Sequence, residues 1–314
     1  MDQMLHVSSN PHVRDKMTTS KIMQLVALAL LPTTLFGIYN FGVRALLVVV
    51  ITVASSVFFE WIYDKLMHKK NTITDFSAVV TGLLLALNMP ASIPLWMPVL
   101  GSAFAIIVVK QLFGGLGQNF MNPALAARCF LLTSFALFMN NFSSAKLGFD
   151  SLTGATPLAQ LRAGETVDLA SLVIGRIPGT IGEVSVIALL IGAIYMVVRK
   201  VISPVIPVTY LATAAVLSAL LGRDPLMDIL SGGLLLGAIF MATDYTTSPI
   251  NFSARVIYAV GCGVLTILIR QFASLPEGVS YSIVLMNILV PLIERVAKPQ
   301  TFGKMKAKKA GDAK

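Results

Sequence analysis

Long apolar runs, separated by short polar connections, restrict the fold of this chain more than any other feature. A helix needs about 20 apolar residues to cross the hydrocarbon core of a bilayer, with a usual range of about 17–25. The predicted spans are 21–38, 44–63, 75–89, 95–113, 122–139, 184–198, 202–221, 228–242, 253–273 and 279–296. We therefore predict an all-α polytopic membrane protein with about ten transmembrane helices, because helices satisfy their own backbone hydrogen bonds in lipid.

The composition excludes an ordinary soluble domain, in which about 25% of residues are charged. Here only 12% are charged and 56% are hydrophobic, so too few charges exist to cover a soluble surface. The net charge of +9 does not indicate a nucleic-acid partner, because the basic residues gather in loops between spans and in the tail "KMKAKKAGDAK". The polar N-terminal stretch lacks the apolar core of a cleaved signal peptide, and we expect none.

The distribution of Lys and Arg predicts the orientation, because cytoplasmic loops carry an excess of both. With a cytoplasmic N-terminus, 17 of the 24 basic residues lie inside, 6 lie outside, and Arg128 lies within the fifth span. Both termini are therefore predicted to be cytoplasmic. The predicted segments are a cytoplasmic N-terminal segment (1–20), a first five-helix half (21–139), an extracytoplasmic loop (140–182), a second five-helix half (183–297) and a basic cytoplasmic tail (298–314).

The third and eighth spans are short and contain helix-breaking residues. Asn88 and Pro90 interrupt the third, and Gly232, Gly233 and Gly237 loosen the eighth. Two halves of five spans have opposite orientations, and broken helices at matched positions of inverted halves indicate a central binding site. Two inverted repeats are therefore predicted; a pair of ordinary or tilted helices with membrane-typical glycines is the alternative.

Cysteine and histidine offer little chemistry in this sequence. Cys129 and Cys262 lie in apolar runs without metal-ligand spacing, which is typical of packing residues. His6, His12 and His68 lie outside the spans. We therefore expect no metal or haem site built on these side chains.

The loop stretch "DSLTGATPLAQLR" (150–162) presents hydroxyl groups in a turn of small residues. Gly154 permits a tight turn, and Pro157 prevents a helix from running back through Thr156. Hydrolase chemistry is not supported, because the loop has no His and the chain has no Gly-x-Ser-x-Gly motif. A plain turn remains one interpretation of these residues.

The same stretch carries a family resemblance. Asp150, Thr153, Gly154, Ala155 and Thr156 resemble the flavinylation motif Asp-x-x-Ser/Thr-Gly-Ala-Thr. With "GGLGQNFMNPALAARCFLL" (114–132) and "MATDYTTSPINFSAR" (241–255), they make the chain similar to D subunits of Rnf-type complexes, which are ion-translocating ferredoxin:NAD+ oxidoreductases. The related B subunits of Na+-translocating NADH:quinone oxidoreductases share the resemblance.

The resemblance implies a covalent flavin at the loop. In this family a flavin transferase takes FMN from FAD and esterifies the last Thr of the motif, here Thr156, with the FMN phosphate. Gly154 and Ala155 leave room around the hydroxyl, and Asp150 is expected to dock the transferase or its metal. Thr153 is the other hydroxyl of the motif.

The motif "GGLGQNFMNPALAAR" lies between the fourth and fifth spans. Asn119 and Asn122 carry donors and acceptors that suit the edge of a heterocycle, and the resemblance implies that they hold a second, non-covalent flavin, riboflavin. The alternative is a Gly-rich connector in which Asn122 caps the fifth helix and Pro123 takes its first position.

Two ionisable residues near the spans are further candidates, because such residues in membranes are often functional. Asp244 follows the eighth span and could contact a flavin, a partner subunit or a coupling cation, or simply cap the next turn. Arg128 could stabilise a reduced flavin, or form a structural ion pair or carbonyl contacts.

The resemblance implies an electron-transfer subunit in the bacterial inner membrane, with covalent FMN, riboflavin and coupling to Na+ or H+ translocation. Expected partners are the other Rnf subunits, including a second covalent-FMN subunit and iron–sulfur subunits, together with the flavin transferase and membrane lipid. No catalytic residue is assigned to this chain. The alternatives are a quinone-reductase B subunit, a secondary transporter or channel, and a structural anchor.

Overall fold

The computed structural model describes residues 17–69, 71–142, 156–163, 167–175, 177–273 and 278–297, and all regular elements in these ranges are helical. The first half contains α1 (Thr19–Phe41), α2 (Val43–Leu66), α3 (Ser77–Leu87), α4 (Trp96–Ala103, continued as a π-helix over Phe104–Gln111) and α5 (Pro123–Ser134). Three short helices follow, α6 (Ala136–Met139), α7 (Pro157–Arg162) and α8 (Leu169–Ile174). The second half contains α9 (Val186–Val198), α10 (Val205–Leu220), α11 (Pro225–Leu230), α12 (Leu234–Leu236, continued as a π-helix over Gly237–Met241), α13 (Phe252–Phe272) and α14 (Val279–Val296).

The helices have the lengths and composition of a polytopic membrane protein. By these criteria α1, α2, α13 and α14 are long and apolar enough to cross a membrane, and α3, α4, α5, α9 and α10 are shorter apolar helices. Large apolar side chains such as Leu35, Ile194 and Leu292 are exposed on the outer faces of the bundle. The predicted all-α, multi-pass character is confirmed at this level.

Polar residues at the ends of the apolar runs start the helices. The Thr18 and Ser185 hydroxyls cap α1 and α9 by accepting hydrogen bonds from Lys21 N and Ala188 N, each at 3.3 Å. Asn122 caps α5 and is followed by Pro123, whose missing N–H needs no partner at the first helical position. These three helix starts therefore follow from local sequence, whereas α2, α3, α4, α10 and α14 begin without a side-chain cap.

The eighth run is interrupted in the structure, as its glycines predict. It divides into α11 and α12 at Ser231–Gly233, where Gly232 has a φ of 66°, in the region that favours glycine. The third run is also short, and its helix α3 ends at Leu87, directly before the predicted interruption at Asn88 and Pro90. The Asn88 amide donates to Leu84 O at 2.6 Å and so helps to close the end of that helix.

Helix packing follows the two halves of the sequence. Within the first half α2 packs against α3 and α4, and within the second half α10 packs against α13, which also contacts α14. Between the halves α1 packs against α9 and α5 against α14. The buried core draws residues from most of these helices, including the short helices α3, α5 and α12.

A first polar cluster lies at the C-terminal ends of α2 and α4. Lys110 Nζ is 2.7 Å from Glu60 Oε1 and donates to Ser77 Oγ at 2.6 Å. Thr72 donates to Glu60 and to Asp64. Both Glu60 and Lys110 are buried, so the pairing offsets the cost of removing two charges from water.

A second polar cluster lies at the C-terminal ends of α10 and α13. Arg223 Nη2 is 2.6 Å from Asp228 Oδ1, and Ser218 donates to the same carboxylate. The buried Arg270 guanidinium donates to the backbone carbonyls of Asp228 and Ser231. This cluster fixes α11 against the ends of its two neighbours.

Candidate functional site

Thr156 stands at the start of α7, where its hydroxyl accepts a hydrogen bond from Ala159 N at 3.3 Å. The residue is half-buried, and the next two side chains, Pro157 and Leu158, are buried and anchor it. Pro157 begins a short helix directly after Thr156. The other motif residues, Asp150, Thr153, Gly154 and Ala155, lie outside the described residues.

A cleft of about 660 Å³ opens beside Thr156 and is termed the Thr156 cleft. Its polar lining consists of Asn88, Arg128, Asn140, Thr156, Glu183 and Tyr281. The remaining lining is largely apolar and includes Leu132, Met139 and Ile177. A largely apolar lining with a few convergent polar groups is typical of small-molecule sites.

A buried ion pair forms the charged wall of the Thr156 cleft. Arg128 Nη2 is 3.0 Å from Glu183 Oε1, and the two side chains are only 3% and 5% exposed. Arg128 Nη1 also donates to Asn88 Oδ1. The sequence-predicted Arg128 therefore has a structural ion pair and also lines a cavity.

The segment before α9 places Glu183 against the end of α3. Ile181 N donates to Met89 O at 3.0 Å, and Gly182 N donates to Leu87 O at 2.8 Å. These two backbone hydrogen bonds hold Glu183 next to Asn88, which follows α3 directly. The backbone that carries Glu183 is thereby held beside the end of α3.

The Thr156 cleft offers a bound ligand one unused polar group. The Tyr281 hydroxyl lines the cleft, is buried, and has no hydrogen-bond partner within the described part of the chain. A buried hydroxyl without a partner costs free energy, which a ligand acceptor or donor would recover. Arg128 supplies a cation beside the same space.

A second cleft of about 680 Å³ contains the other candidate residues and is termed the Asn119 cleft. Its polar lining consists of Ser77, Thr81, Lys110, Asn119, Asn122, Thr243, Asp244, Tyr245 and Thr246. The Asn119 amide donates to Met121 O and to Thr246 Oγ1, both at 3.1 Å. Asn119 thereby joins the two motifs that the sequence separates by more than a hundred residues.

Asn122 has the capping role that the sequence allowed, and it also lines the Asn119 cleft. Its Oδ1 accepts from Ala124 N at 3.0 Å and from Leu125 N at 3.3 Å, and its Nδ2 donates to Met241 O at 3.4 Å. Asp244 is half-buried and accepts from the hydroxyls of Thr246 and Thr247. Its carboxylate faces the cleft while ordering the turn after α12.

The two clefts lie at opposite ends of α3, because the Asn119 cleft contacts Ser77–Leu84 and the Thr156 cleft contacts Asn88. Met241 lies between them: its carbonyl accepts from Asn122, and its sulfur is 3.7 Å from Asn88 Nδ2. The candidate residues are thus brought together as two groups, Thr156 with Arg128, and Asn119 with Asn122 and Asp244.

Sequence reasoning missed Glu183, Asn88 and Tyr281 as cleft residues. Glu183 directly precedes the sixth predicted span, and Arg128, inside the fifth, requires a partner in a membrane; together these signals could have suggested the pair. Tyr281 carries no signal of this kind, because a tyrosine in an apolar helix is ordinary.

Comparison with known proteins gives a consistent result over nearly the whole chain. The model of the NQR2, RnfD, RnfE family matches residues 6–303. The chain is 50% identical to the D subunit of the Na+-translocating ferredoxin:NAD+ oxidoreductase complex of Acetobacterium woodii, covering 98% of each. It is 40% identical to the D subunit of the proton-translocating ferredoxin:NAD+ oxidoreductase complex of Clostridium ljungdahlii, covering 95% of this chain and 96% of that protein. It is 38% identical to the D subunit of an ion-translocating oxidoreductase complex of Stutzerimonas stutzeri, with coverages of 91% and 93%.

These matches confirm the resemblance that the motifs at 114–132, 150–156 and 241–255 indicate. A family model that spans most of the chain and relatives that share its full length cannot reflect one common motif alone. The chain belongs to the NQR2, RnfD, RnfE family.

Proposed function

We propose that this chain is the membrane electron-transfer subunit of an Rnf-type, ion-translocating ferredoxin:NAD+ oxidoreductase, with FMN bound covalently to Thr156. The full-length relatives support the assignment to such a complex, since they are D subunits of ferredoxin:NAD+ oxidoreductases. One observation carries the flavin proposal: Thr156 and the buried Arg128 line the same cleft.

The attachment at Thr156 is a transfer reaction of a separate enzyme. The flavin transferase breaks the phosphoanhydride bond of FAD, AMP leaves, and the Thr156 oxygen forms an ester with the FMN phosphate as its proton is lost. Thr156 needs no activating base of its own, because the transferase supplies one. A half-buried hydroxyl at a turn is accessible for this step, whereas one inside a helix bundle is not.

The Thr156 cleft would hold the isoalloxazine ring of the attached FMN, which supplies one-electron and two-electron redox chemistry when bound. Arg128 would face the ring and stabilise negative charge on it. Tyr281 would offer its hydroxyl to a ring heteroatom. The apolar residues Leu132, Met139 and Ile177 would exclude water from the ring faces.

The Asn119 cleft would hold the second flavin, riboflavin, without a covalent bond. Asn119 and Asn122 present amide groups to the cleft, and Asp244 presents a carboxylate. Each amide also has a structural partner, so the polar groups are fixed in orientation before a ligand binds. Electrons would then pass between two flavins at opposite ends of α3.

The two halves of the chain are proposed to be inverted repeats with both termini in the cytoplasm. Equivalent pairs pack in each half, α2 with α4 and α10 with α13, and each pair carries a buried polar cluster at its C-terminal ends. An odd number of spans per half puts these clusters at opposite membrane faces. The loop 140–182 would then be extracytoplasmic, in a bacterial inner membrane.

Ferredoxin, NAD+ and iron–sulfur centres are assigned to partner subunits, one of which would carry another covalent FMN. Ion coupling, to Na+ or H+, is a property of the assembled complex. The quinone-reductase B subunit is the second candidate, because the family description includes it, but the 50%, 40% and 38% identical relatives are all D subunits.

The decisive experiment is to express the chain with and without an active flavin transferase and examine it on a denaturing gel. Only a covalent flavin survives denaturation, so fluorescence in the band and one added FMN phosphoester by intact mass are expected. Peptide mapping should localise the added mass to the peptide that contains Thr156. A band that remains dark while another transferase substrate becomes fluorescent would reject the covalent flavin.

A further inference from the structure

We propose that Glu183 is a positioning residue that sets the reduction potential of the flavin in the Thr156 cleft. It does so through its negative charge, which opposes the positive charge of Arg128 in that cleft. This inference rests on the proposed FMN ester at Thr156, and it adds a residue outside the flavinylation motif to the flavin environment.

The geometry gives Glu183 direct influence on the cleft. Its carboxylate lies 3.0 Å from the Arg128 guanidinium, and both side chains line the cavity that Thr156 borders. The backbone around Glu183 is tied to the end of α3 by hydrogen bonds from Ile181 N and Gly182 N. The carboxylate therefore holds Arg128 from a fixed position.

The interruption of the eighth span is built around this carboxylate. A Cβ at Gly233 would lie 2.5 Å from Glu183 Oε1 and 3.4 Å from Arg128 Nη1, so a larger residue could not occupy the break without moving the pair. The break, the end of α3 and the ion pair therefore meet at one place.

Electrostatics determines the direction of each charge's effect. Arg128 favours added negative charge on a nearby ring, and Glu183 opposes it. At buried sites a unit charge several ångströms away changes an equilibrium by more than tenfold. The reduction potential of the flavin therefore depends on both charges. Removing the Glu183 charge alone is expected to raise it, and removing the Arg128 charge alone is expected to lower it.

The test measures the midpoint potential of the covalent flavin in the full-length chain, purified after co-expression with the transferase. The signal that disappears in Thr156→Asn identifies the covalent flavin. Glu183→Gln is expected to favour reduction at least tenfold, an upward shift of about 59 mV or more for a one-electron couple. Arg128→Gln is expected to disfavour reduction by a similar factor.

Three further variants separate charge from structure. Glu183→Asp keeps the charge and is expected to change the equilibrium less than threefold. The double Arg128→Gln, Glu183→Gln variant removes both charges of the ion pair, and it is expected to have a higher potential than Arg128→Gln alone. If Glu183→Gln alone does not fold, the difference in potential between the double variant and Arg128→Gln still tests the effect of the Glu183 charge. Asp224→Asn removes a carboxylate outside the cleft and keeps the cap of α11, since Asn caps as well as Asp; no shift is expected.

The proposal is overturned if Glu183→Gln and Arg128→Gln shift the potential in the same direction, or if the double variant does not exceed Arg128→Gln. Equal shifts in Glu183→Asp and Glu183→Gln would also overturn it, because distortion rather than charge would then be the cause. A wild-type chain without covalent flavin rejects the proposed function itself, and the gel detects that result before any potential is measured.

Discussion

Replacement of Thr156 can separate the proposed role of its hydroxyl in flavin attachment from its role in capping α7. Thr156→Val removes both roles and Thr156→Asn removes only the attachment, because Asn is among the best capping residues. Thr156→Ser keeps both. The covalent flavin content is therefore expected to be near zero in the Val and Asn variants and to persist in the Ser variant.

The structural cost of these changes follows from one hydrogen bond. The Thr156 hydroxyl accepts only from Ala159 N, at 3.3 Å, among the described contacts, and loss of such a cap costs about 0.5–2 kcal/mol. The helix α7 has six residues, and Pro157 and Leu158 remain buried as its anchors. Thr156→Val should therefore lower the free energy of unfolding by about 1 kcal/mol, a small part of the roughly 5–15 kcal/mol of a folded protein.

The assay combines in-gel flavin fluorescence, intact mass and thermal unfolding in detergent, all after co-expression with the transferase. The Asn variant should unfold like the wild type and yet be dark on the gel. Thr153→Val, which keeps the attachment hydroxyl, should remain at least partly fluorescent. Fluorescence in Thr156→Asn would refute the assignment of the attachment point. If Thr153→Val loses as much covalent flavin as Thr156→Val, the loss reflects damage to the motif as a whole and does not identify the Thr156 oxygen as the attachment point.

Three further predictions concern orientation, the second flavin and the first polar cluster. A reporter fused after residue 150 should lie on the extracytoplasmic side of the membrane, and one fused after residue 314 should lie in the cytoplasm. A cytoplasmic reporter after residue 150 would contradict the proposed orientation. Asn119→Leu and Asn122→Ser, the second of which keeps the cap of α5, should lower extractable riboflavin while covalent FMN is retained; unchanged riboflavin in the double variant rejects this cleft. Glu60→Gln leaves the buried Lys110 without its counter-charge and should lower the free energy of unfolding by about 3–5 kcal/mol, whereas Glu60→Leu with Lys110→Met should restore most of it; thermal unfolding in detergent measures both.

The helices could largely be predicted from sequence, because the bilayer imposes a length on every apolar run. The break in the eighth run was also predictable, since Gly232 and Gly233 stand inside it. The division of the fifth run was not predictable: α5 ends at Ser134 and α6 begins at Ala136, where neither Gly nor Pro is present. Phe135 adopts a non-helical conformation there, and Trp96 packs edge-on against its ring, a tertiary contact that no local pattern encodes.

The residues of the candidate sites likewise include some that could be predicted from the sequence and some that could not. Thr156, Asn119 and Asn122 belong to contiguous motifs, so the sequence identified them. Glu183 did not stand out, because its partner Arg128 lies 55 residues away and neither residue belongs to a periodic pattern. Only the assembled fold brings the end of α3, the start of α9 and the break before α12 to one place.

The short helices and the two clefts have one physical cause. A helix of 11 residues such as α3 is about 16 Å long, roughly half of the hydrocarbon thickness of about 30 Å, so one of its ends lies at membrane depth. Each helix end leaves four backbone groups without intrahelical partners, and such groups cannot face lipid. Asn88 and Asn122 satisfy part of this need at the end of α3 and the start of α5. The remaining polar groups face internal space, so a chain that ends its helices within the membrane creates the polar-lined cavities in which a redox cofactor can be bound.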